Sequence, residues 1–408
     1  MFLLKCIGCG ERYTREEVIY VCRKCGDLLD VNYDYQAVKE KLDPAEWAKR
    51  PLNVWRYREL LPILNPNLIV SLKEGGTRLH ECSRLATELG VKKLYIKNEG
   101  DNPTCSFKDR GMTVGITKAL ELGVETVICA STGNTSASLS AYAAKAGMQC
   151  FVFIPSGKIA YGKLAQAIIH GAKIVQIQGN FDQALRVVQE LCNRDRKFYL
   201  LNSINPYRVE GQKTLAYEVC EQLNRVPDKV IVPVGNAANI SAIWKGFLEF
   251  RKLGLINSLP QMIGVQAEGA SPIARAFREG RETIEPVDAP DTVATAIRIG
   301  HPISWKKALH AIRDSGGTAE TVTDEEILEA QKLLARREGL FVEPASASSI
   351  AGLKRLVKDG RIEKDALVVC VATGHGLKDA DIVIKTCEKP MDADASLESV
   401  EKLLGVQR

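Results

Sequence analysis

Val127-Ile128-Cys129-Ala130-Ser131-Thr132-Gly133-Asn134-Thr135-Ser136 runs from an unbroken apolar stretch through a polar turn into a segment of small residues. An apolar run of this length reads as a fully buried strand, and residues 135–146 read as the helix that follows it. Working outward, residues 150–154 and 173–177 read as strands, and residues 162–170 and 182–193 as helices, the latter with Leu185, Val188 and Leu191 on one face. Upstream, a helix is expected over 112–122. Downstream, strands are expected at 230–232, 263–265 and 367–371, and helices at 211–223, 324–338 and 346–357. Strands alternating with helices predict a mostly parallel α/β sheet architecture. No internal repeat or low-complexity segment stands out.

The chain has 408 residues and 44.8 kDa, enough for two or three domains. Its 55 basic and 50 acidic residues leave a formal charge of +5 without a long run of one sign, which argues against nucleic-acid binding. No apolar stretch approaches the roughly 18 residues that span a bilayer, and the N-terminus is too short in apolar residues for a signal peptide. Residues 27–67 contain Pro44, Pro51, Pro62 and Pro66 together with Trp47, Trp55 and Tyr57, and read as a linker packed on the surface of the main body. Residues beyond 389 read as an exposed tail.

Four of the 12 cysteines lie between positions 6 and 25. Cys6-x2-Cys9 and Cys22-x2-Cys25 are each followed by a glycine, Gly10 and Gly26, which permits the tight turn that brings backbone amides toward the sulfurs. Two such pairs present four thiolates to one tetrahedral ion at about 2.3 Å, and the strand-like residues 13–21 between them suit a zinc ribbon. Iron also accepts four thiolates. The ribbon reads as a structural cap or as an adaptor; its modest charge and lack of an aromatic-basic stripe favour the cap. Cys129, Cys150, Cys192, Cys220 and Cys370 fall in apolar patterns, which fits a reducing cytoplasm and not a disulfide framework.

Parallel sheets take ligands where strands end and helices begin. Three such junctions are polar: Ser131 to Ser136, Pro233-Val234-Gly235-Asn236-Ala237-Ala238-Asn239-Ile240, and Val371-Ala372-Thr373-Gly374-His375-Gly376-Leu377-Lys378-Asp379. The first also reads as an ordinary N-cap run. The second has small side chains that let consecutive N–H groups converge on an anion at a helix N-terminus, or serves as a packing device. The third offers a hydroxyl that can hydrogen-bond a ring nitrogen without fully protonating it, and His375 reads as a structural turn residue. Lys108, on a polar loop before a helix, is placed for the helix dipole and burial to lower its pKa, which makes a nucleophilic amine.

Asn102-Pro103-Thr104-Cys105-Ser106-Phe107-Lys108-Asp109-Arg110-Gly111 resembles the pyridoxal-phosphate lysine motif of the tryptophan-synthase-like, fold type II enzymes, and its Ser-Phe-Lys-Asp-Arg-Gly form is most similar to the threonine synthases among them. The resemblance runs over residues 75–379. Members often carry Gly at the position of Cys105, and their phosphate loop usually reads Gly-Asn-Ala-Gly-Asn, where this chain has Ala238. A positive φ at Ala238 would be strained. Leu201-Asn202-Ser203-Ile204-Asn205-Pro206-Tyr207-Arg208 and the following residues are also similar to threonine synthases.

The resemblance implies two open, mostly parallel-sheet α/β domains of the fold type II kind behind a small zinc ribbon. The implied boundaries are 1–30 for the ribbon, 31–92 for a linker and the first part of the large domain, 93–205 for the small domain, 206–390 for the large domain and 391–408 for the tail. It implies pyridoxal 5′-phosphate on Lys108, with Asn134 at the phenolic oxygen, Gly235, Asn236, Ala237, Ala238 and Asn239 at the phosphate, and Thr373 at the ring nitrogen. Ser131, Thr135, Asn202, Ser203 and Arg208 are the implied substrate contacts, with Arg208 suited to grip a phosphate bidentately. Cys6, Cys9, Cys22 and Cys25 would hold structural zinc. The implied reaction converts O-phospho-L-homoserine and water to L-threonine and phosphate, in a cytoplasmic homodimer with no nucleic-acid or membrane partner. The alternatives are a threonine/serine dehydratase or an O-phosphoserine-dependent synthase of the same fold, and a zinc-ribbon adaptor with an inactive body.

Overall fold

The computed structural model describes residues 2–156, 161–179, 181–388 and 390–405. Strand β1 (Phe2–Cys6) lies between β2 (Arg12–Tyr13) and β3 (Leu29–Tyr33) in a small antiparallel sheet. The alternation along β1 and β3 buries Phe2, Leu4, Leu29, Val31 and Tyr33 on one face. Residues 13–21 do not form the expected strand: only Arg12–Tyr13 pairs with β1, and β3 supplies the longer partner. Gly10 and Gly26 adopt φ +76° and +74° after their cysteine pairs, as the turns require.

The body holds two further sheets. β4 (Leu79–Glu81) and β5 (Lys93–Asn98) begin one of them. The chain then leaves to build a separate four-stranded sheet from β6 (Thr126–Ala130), β7 (Gln149–Pro155), β8 (Lys173–Ile177) and β9 (Phe198–Leu200), parallel throughout in the order β8-β7-β6-β9. It returns with β10 (Lys229–Pro233), β11 (Gln261–Ala267), β12 (Thr318–Val322) and β13 (Leu367–Ala372). The larger sheet runs β12-β11-β10-β13-β5-β4, parallel except for the antiparallel edge strand β4. The expectation of mostly parallel α/β sheets behind a ribbon is met. Lys93–Asn98, grouped from sequence with the smaller domain, pairs instead with β13 in the larger sheet.

Helices cover both faces of the central strands, so β10 and β13 are buried along their whole length. The 324–338 helix forms as expected, opened by a Thr323–Glu326 capping box and ended by left-handed Gly339. The expected helix at 211–223 is two pieces, Pro206–Gln212 and Thr214–Leu223, joined at Lys213. Asn205 caps the first piece by accepting the Arg208 N–H, and Pro206 takes the first helical position. The helix expected from 112 begins at Lys108 and ends at Glu121.

Residues 27–67 are not a surface linker. Trp47, Trp55 and Tyr57 are buried, and Trp47 and Tyr57 join the core beneath the larger sheet with Tyr217 and Phe250. Their aromatic surface outweighs the four prolines, which shape short helices and turns rather than a free tether. The ribbon is also seated on the body. Its core includes Tyr207; Tyr33 donates to Glu210 at 2.9 Å, and Tyr207 donates to the Arg15 carbonyl at 3.0 Å. Residues 379–408 form a separate compact unit with an exposed helix, Leu397–Leu404. No helix among the described residues is long and apolar enough to cross a membrane.

Candidate active site

Lys108 is the first residue of its helix and is only partly exposed. Its Nζ lies 4.2 Å from the Phe107 ring centroid. Burial is the main cause that pushes its pKa down to about 7, the positive Arg208 adds to the fall, and Glu343 opposes it. The loop before it is pinned to the loop after β13. Phe107 N–H donates to the Thr373 carbonyl at 3.0 Å, and His375 N–H donates to the Cys105 carbonyl at 3.0 Å. These bonds are why Lys108 and Thr373, far apart in sequence, share one cleft. Cys105 sits at φ +63°, the conformation for which glycine is favoured, so the loop keeps a left-handed turn at a steric cost.

Asn134 begins the helix after β6, and Ser131 to Thr135 are all half-buried at the cleft. Thr373 is buried at the end of β13. Between the two lies Glu343, which receives the Asn134 amide at 3.0 Å and the Thr373 hydroxyl at 3.1 Å. His375 uses Nδ1 to accept the Leu377 N–H at 3.1 Å, in keeping with a turn residue.

The Gly235 to Asn239 junction closes β10 and opens the Ala238–Leu253 helix. A side chain at Gly235 would come within 3.0 Å of the Ile297 Cα. The left-handed residue is Ala237, at φ +67°, and not Ala238, which is already helical. The N–H groups of this helix start are the kind that bind a phosphate. Asn239, with both side-chain polar atoms buried and without a partner among the described residues, offers further hydrogen bonds there.

Arg208 is fully buried, and its Nε, Nη1 and Nη2 have no hydrogen-bond partner among the described residues. Burial pushes its pKa down to about 10. Gln212, one turn on, is equally unpaired. A buried guanidinium without a counter-charge costs several kcal/mol, on the order of what a bound anion would restore. Three glycines place it there. A Cβ on Gly111 would lie 2.5 Å from the Arg208 carbonyl oxygen, one on Gly115 2.6 Å from Leu201 Cδ2, and one on Gly211 1.8 Å from the Arg110 carbonyl oxygen. Ser203 accepts from the Asn236 amide at 3.3 Å, which ties the two loops together. Asn202 exchanges both side-chain bonds with the Ala130 backbone at 2.9 Å and so anchors its loop to the end of β6.

The residues fit pyridoxal phosphate: a lysine of lowered pKa, the polar side chains of Asn134 and Thr373, and an amide-rich helix start. In the ribbon, the four thiols of Cys6, Cys9, Cys22 and Cys25 lie within 4.8 Å of one another, and the N–H groups of Gly8, Cys9 and Lys24 point at sulfur from 3.4 Å. That donor set suits one tetrahedral metal ion.

Sequence reasoning missed Glu343, Gln212 and Asp109. Asp109 is buried and accepts from the Thr104 N–H and hydroxyl at 2.6 Å each and from Ser138 at 2.5 Å; burial pushes its pKa up to about 6. A legible signal existed for Glu343 alone: Glu-Pro before a helical pattern marks a helix start, yet glutamate is a poor capping residue.

The pyridoxal-phosphate-dependent enzyme family model matches residues 70–374. A threonine synthase of Methanocaldococcus jannaschii is 59% identical over 403 residues, 98% of this chain and 99% of the relative. One from Methanosarcina acetivorans is 57% identical over 405 residues, 99% of each chain. Among solved structures, the processed form of threonine deaminase isoform 2 from Solanum lycopersicum superposes with a TM-score of 0.62 at 22% identity, over 81% of this chain and 84% of that one, which shows the shared fold. The lysine-centred cleft and the near-full-length identity agree: the chain belongs to the threonine synthase family of pyridoxal-phosphate-dependent enzymes.

Proposed function

We propose that the cleft takes O-phospho-L-homoserine and water to L-threonine and phosphate, with the residues in the following roles. Pyridoxal phosphate, when bound through Lys108, supplies the electron sink for negative charge at the substrate carbons. Lys108 Nζ, with a pKa of about 7, is neutral often enough at neutral pH to take and return protons at substrate Cα and Cβ. Asn134 meets the phenolic oxygen, Thr373 the ring nitrogen, and Gly235 to Asn239 the cofactor phosphate. Ser131 and Thr135 line the amino-acid end of the substrate. Arg208, with Ser203 and Asn202, holds the substrate phosphate, which leaves from Cγ as the Cβ proton is removed; Cγ then gains a proton and water adds at Cβ. Arg208 is sealed from solvent in this form, so substrate entry requires the cleft to open. The four-cysteine ribbon holds zinc in a structural role. The homodimer is supported by the family resemblance alone.

The observation that carries this reading is the unpaired, fully buried Arg208 guanidinium beside Lys108. Losing one charged contact to an anion costs about 1.5–3 kcal/mol, or roughly 10- to 150-fold. Arg208→Ala is therefore expected to lower kcat/KM on O-phosphohomoserine by that factor. Cofactor content and slow deamination of unphosphorylated threonine should change far less. Equal losses on both substrates, or loss of the cofactor on gel filtration, would count against Arg208 as the phosphate ligand.

A further inference from the structure

Asn202, Ser203 and Arg208, which hold the substrate phosphate in the reading above, lie on one stretch that runs out of β9 and into the Pro206–Gln212 helix. β9 is an edge strand of the smaller sheet, so the N–H groups on its open side have no partner strand. Tyr20, from the ribbon, meets one of them. Its hydroxyl accepts the Leu200 N–H at 2.9 Å in a buried contact, and its ring centroid lies 6.0 Å from that of Tyr199.

Ribbon residues hold the other end of the stretch as well. Tyr207, next to Arg208, is 1% exposed and packs in the ribbon core with Phe2 and Leu4, and its hydroxyl donates to the Arg15 carbonyl at 3.0 Å. Just past Arg208, Glu210 accepts from the Tyr33 hydroxyl at 2.9 Å; Lys245, which also bonds Glu210, donates to the Val31 carbonyl at 2.6 Å. Arg15 and Tyr20 belong to the segment between the two cysteine pairs, whose ends the clustered thiols bring together. The Arg208 guanidinium makes no hydrogen bond among the described residues, so the backbone that carries it sets its place. The crossing at Gly111 and Gly211 holds that backbone on one side, and the ribbon holds it on the other.

We propose that the four-cysteine ribbon positions the substrate-phosphate pocket: Tyr20 and Tyr33 are positioning residues that fix the backbone on either side of Asn202, Ser203 and Arg208. The proposal rests on the assignment of those three residues to the substrate phosphate made above. It goes beyond a cap that only stabilises the fold, because such a cap would not distinguish a phosphorylated substrate from an unphosphorylated one.

The test uses the full-length holoenzyme carrying Tyr20→Phe together with Tyr33→Phe, which removes two hydroxyls and keeps both rings packed. Calorimetric titration with inorganic phosphate reads the pocket without turnover, and steady-state kinetics compare O-phosphohomoserine with the slow deamination of threonine. The expected result is a rise of roughly 2- to 10-fold in the phosphate Kd and in KM for O-phosphohomoserine, the span of one lost hydrogen bond. The change in kcat should be smaller, and cofactor content and threonine deamination should stay as in the wild type. A phosphate Kd and KM that both stay unmoved, whatever the melting temperature does, would show a cap and nothing more, and overturn the proposal. So would an equal loss on both substrates. Should the double variant fail to fold, Tyr20→Phe alone decides by the same readings. Failure of the underlying assignment looks different: Arg208→Ala then leaves the phosphate Kd unmoved, and the proposal falls with it.

Discussion

Lys108 lies within reach of one cation, Arg208, and one carboxylate, Glu343, and the lysine's lowered pKa records the balance between them and burial. A primary amine near neutrality at pH 7 serves both as a nucleophile toward an aldehyde and as a proton carrier. Lys108→Ala is expected to lower kcat by roughly 10³-fold or more, measured on O-phosphohomoserine with the variant's fold checked by thermal unfolding. Near-normal turnover would remove the central role given to this residue. The lysine was legible from its motif. Its closeness to Arg208 was not, because it arises from two helices that cross a hundred residues apart in sequence.

The crossing between the Lys108–Glu121 and Pro206–Gln212 helices is the element on which the site turns. Gly111 and Gly211 let the two backbones meet with no side chain between them, and Gly115 leaves room for the Leu201 side chain beside the crossing. Gly211→Ala would drive a methyl group into the Arg110 carbonyl, where neither backbone can yield cheaply. The expected cost is about 1–3 kcal/mol of stability from overpacking. Because Arg208 rides on the same helix, KM for the phosphorylated substrate should rise as well. Thermal unfolding and steady-state kinetics check both; an unchanged melting temperature would show that the helices tolerate separation. The sequence placed helices at 112–122 and 211–223, and so missed both the helix that carries Arg208 and the break at Lys213.

At the scale of the molecule, a buried charge cluster joins the first residues of the body to the larger sheet. Arg110 donates to Glu99 at 2.6 and 2.8 Å and to Glu218 at 2.6 and 2.7 Å, and Lys97 donates to Glu218 at 2.7 Å. All four side chains are fully buried. Against the cost of its own burial, the charges of Arg110 and Lys97 hold the Glu218 carboxyl down to about 2. A carboxyl depressed in the folded state contributes stability that is present above its unfolded pKa and is lost as pH falls through the folded value. Glu218→Gln is therefore expected to be less stable than wild type at neutral pH, by on the order of 3 kcal/mol, since it leaves cations under-neutralised. The difference should shrink as pH falls from about 4.5 toward 2. Denaturant unfolding across that range decides it; a gap that stays constant with pH would mean that the charge of Glu218 contributes nothing.

By itself the sequence determined the alternation of strands and helices, the motif in which Lys108 lies, the three polar junctions and the spacing of the four cysteines. Each is a local matter of periodicity, turn chemistry or motif, written in residues that lie close together along the chain. Only the tertiary structure decided that Lys93–Asn98 belongs to the larger sheet, that Trp47 and Tyr57 enter its core, and that Arg208 is buried next to Lys108 without a partner among the described residues. It also decided that Glu343 faces Asn134 and Thr373 across 209 and 30 residues of chain. Those facts depend on which strand pairs with which and on how closely two helices cross. Such pairings are set by the burial of surfaces distant in sequence, so no stretch of residues read alone contains them.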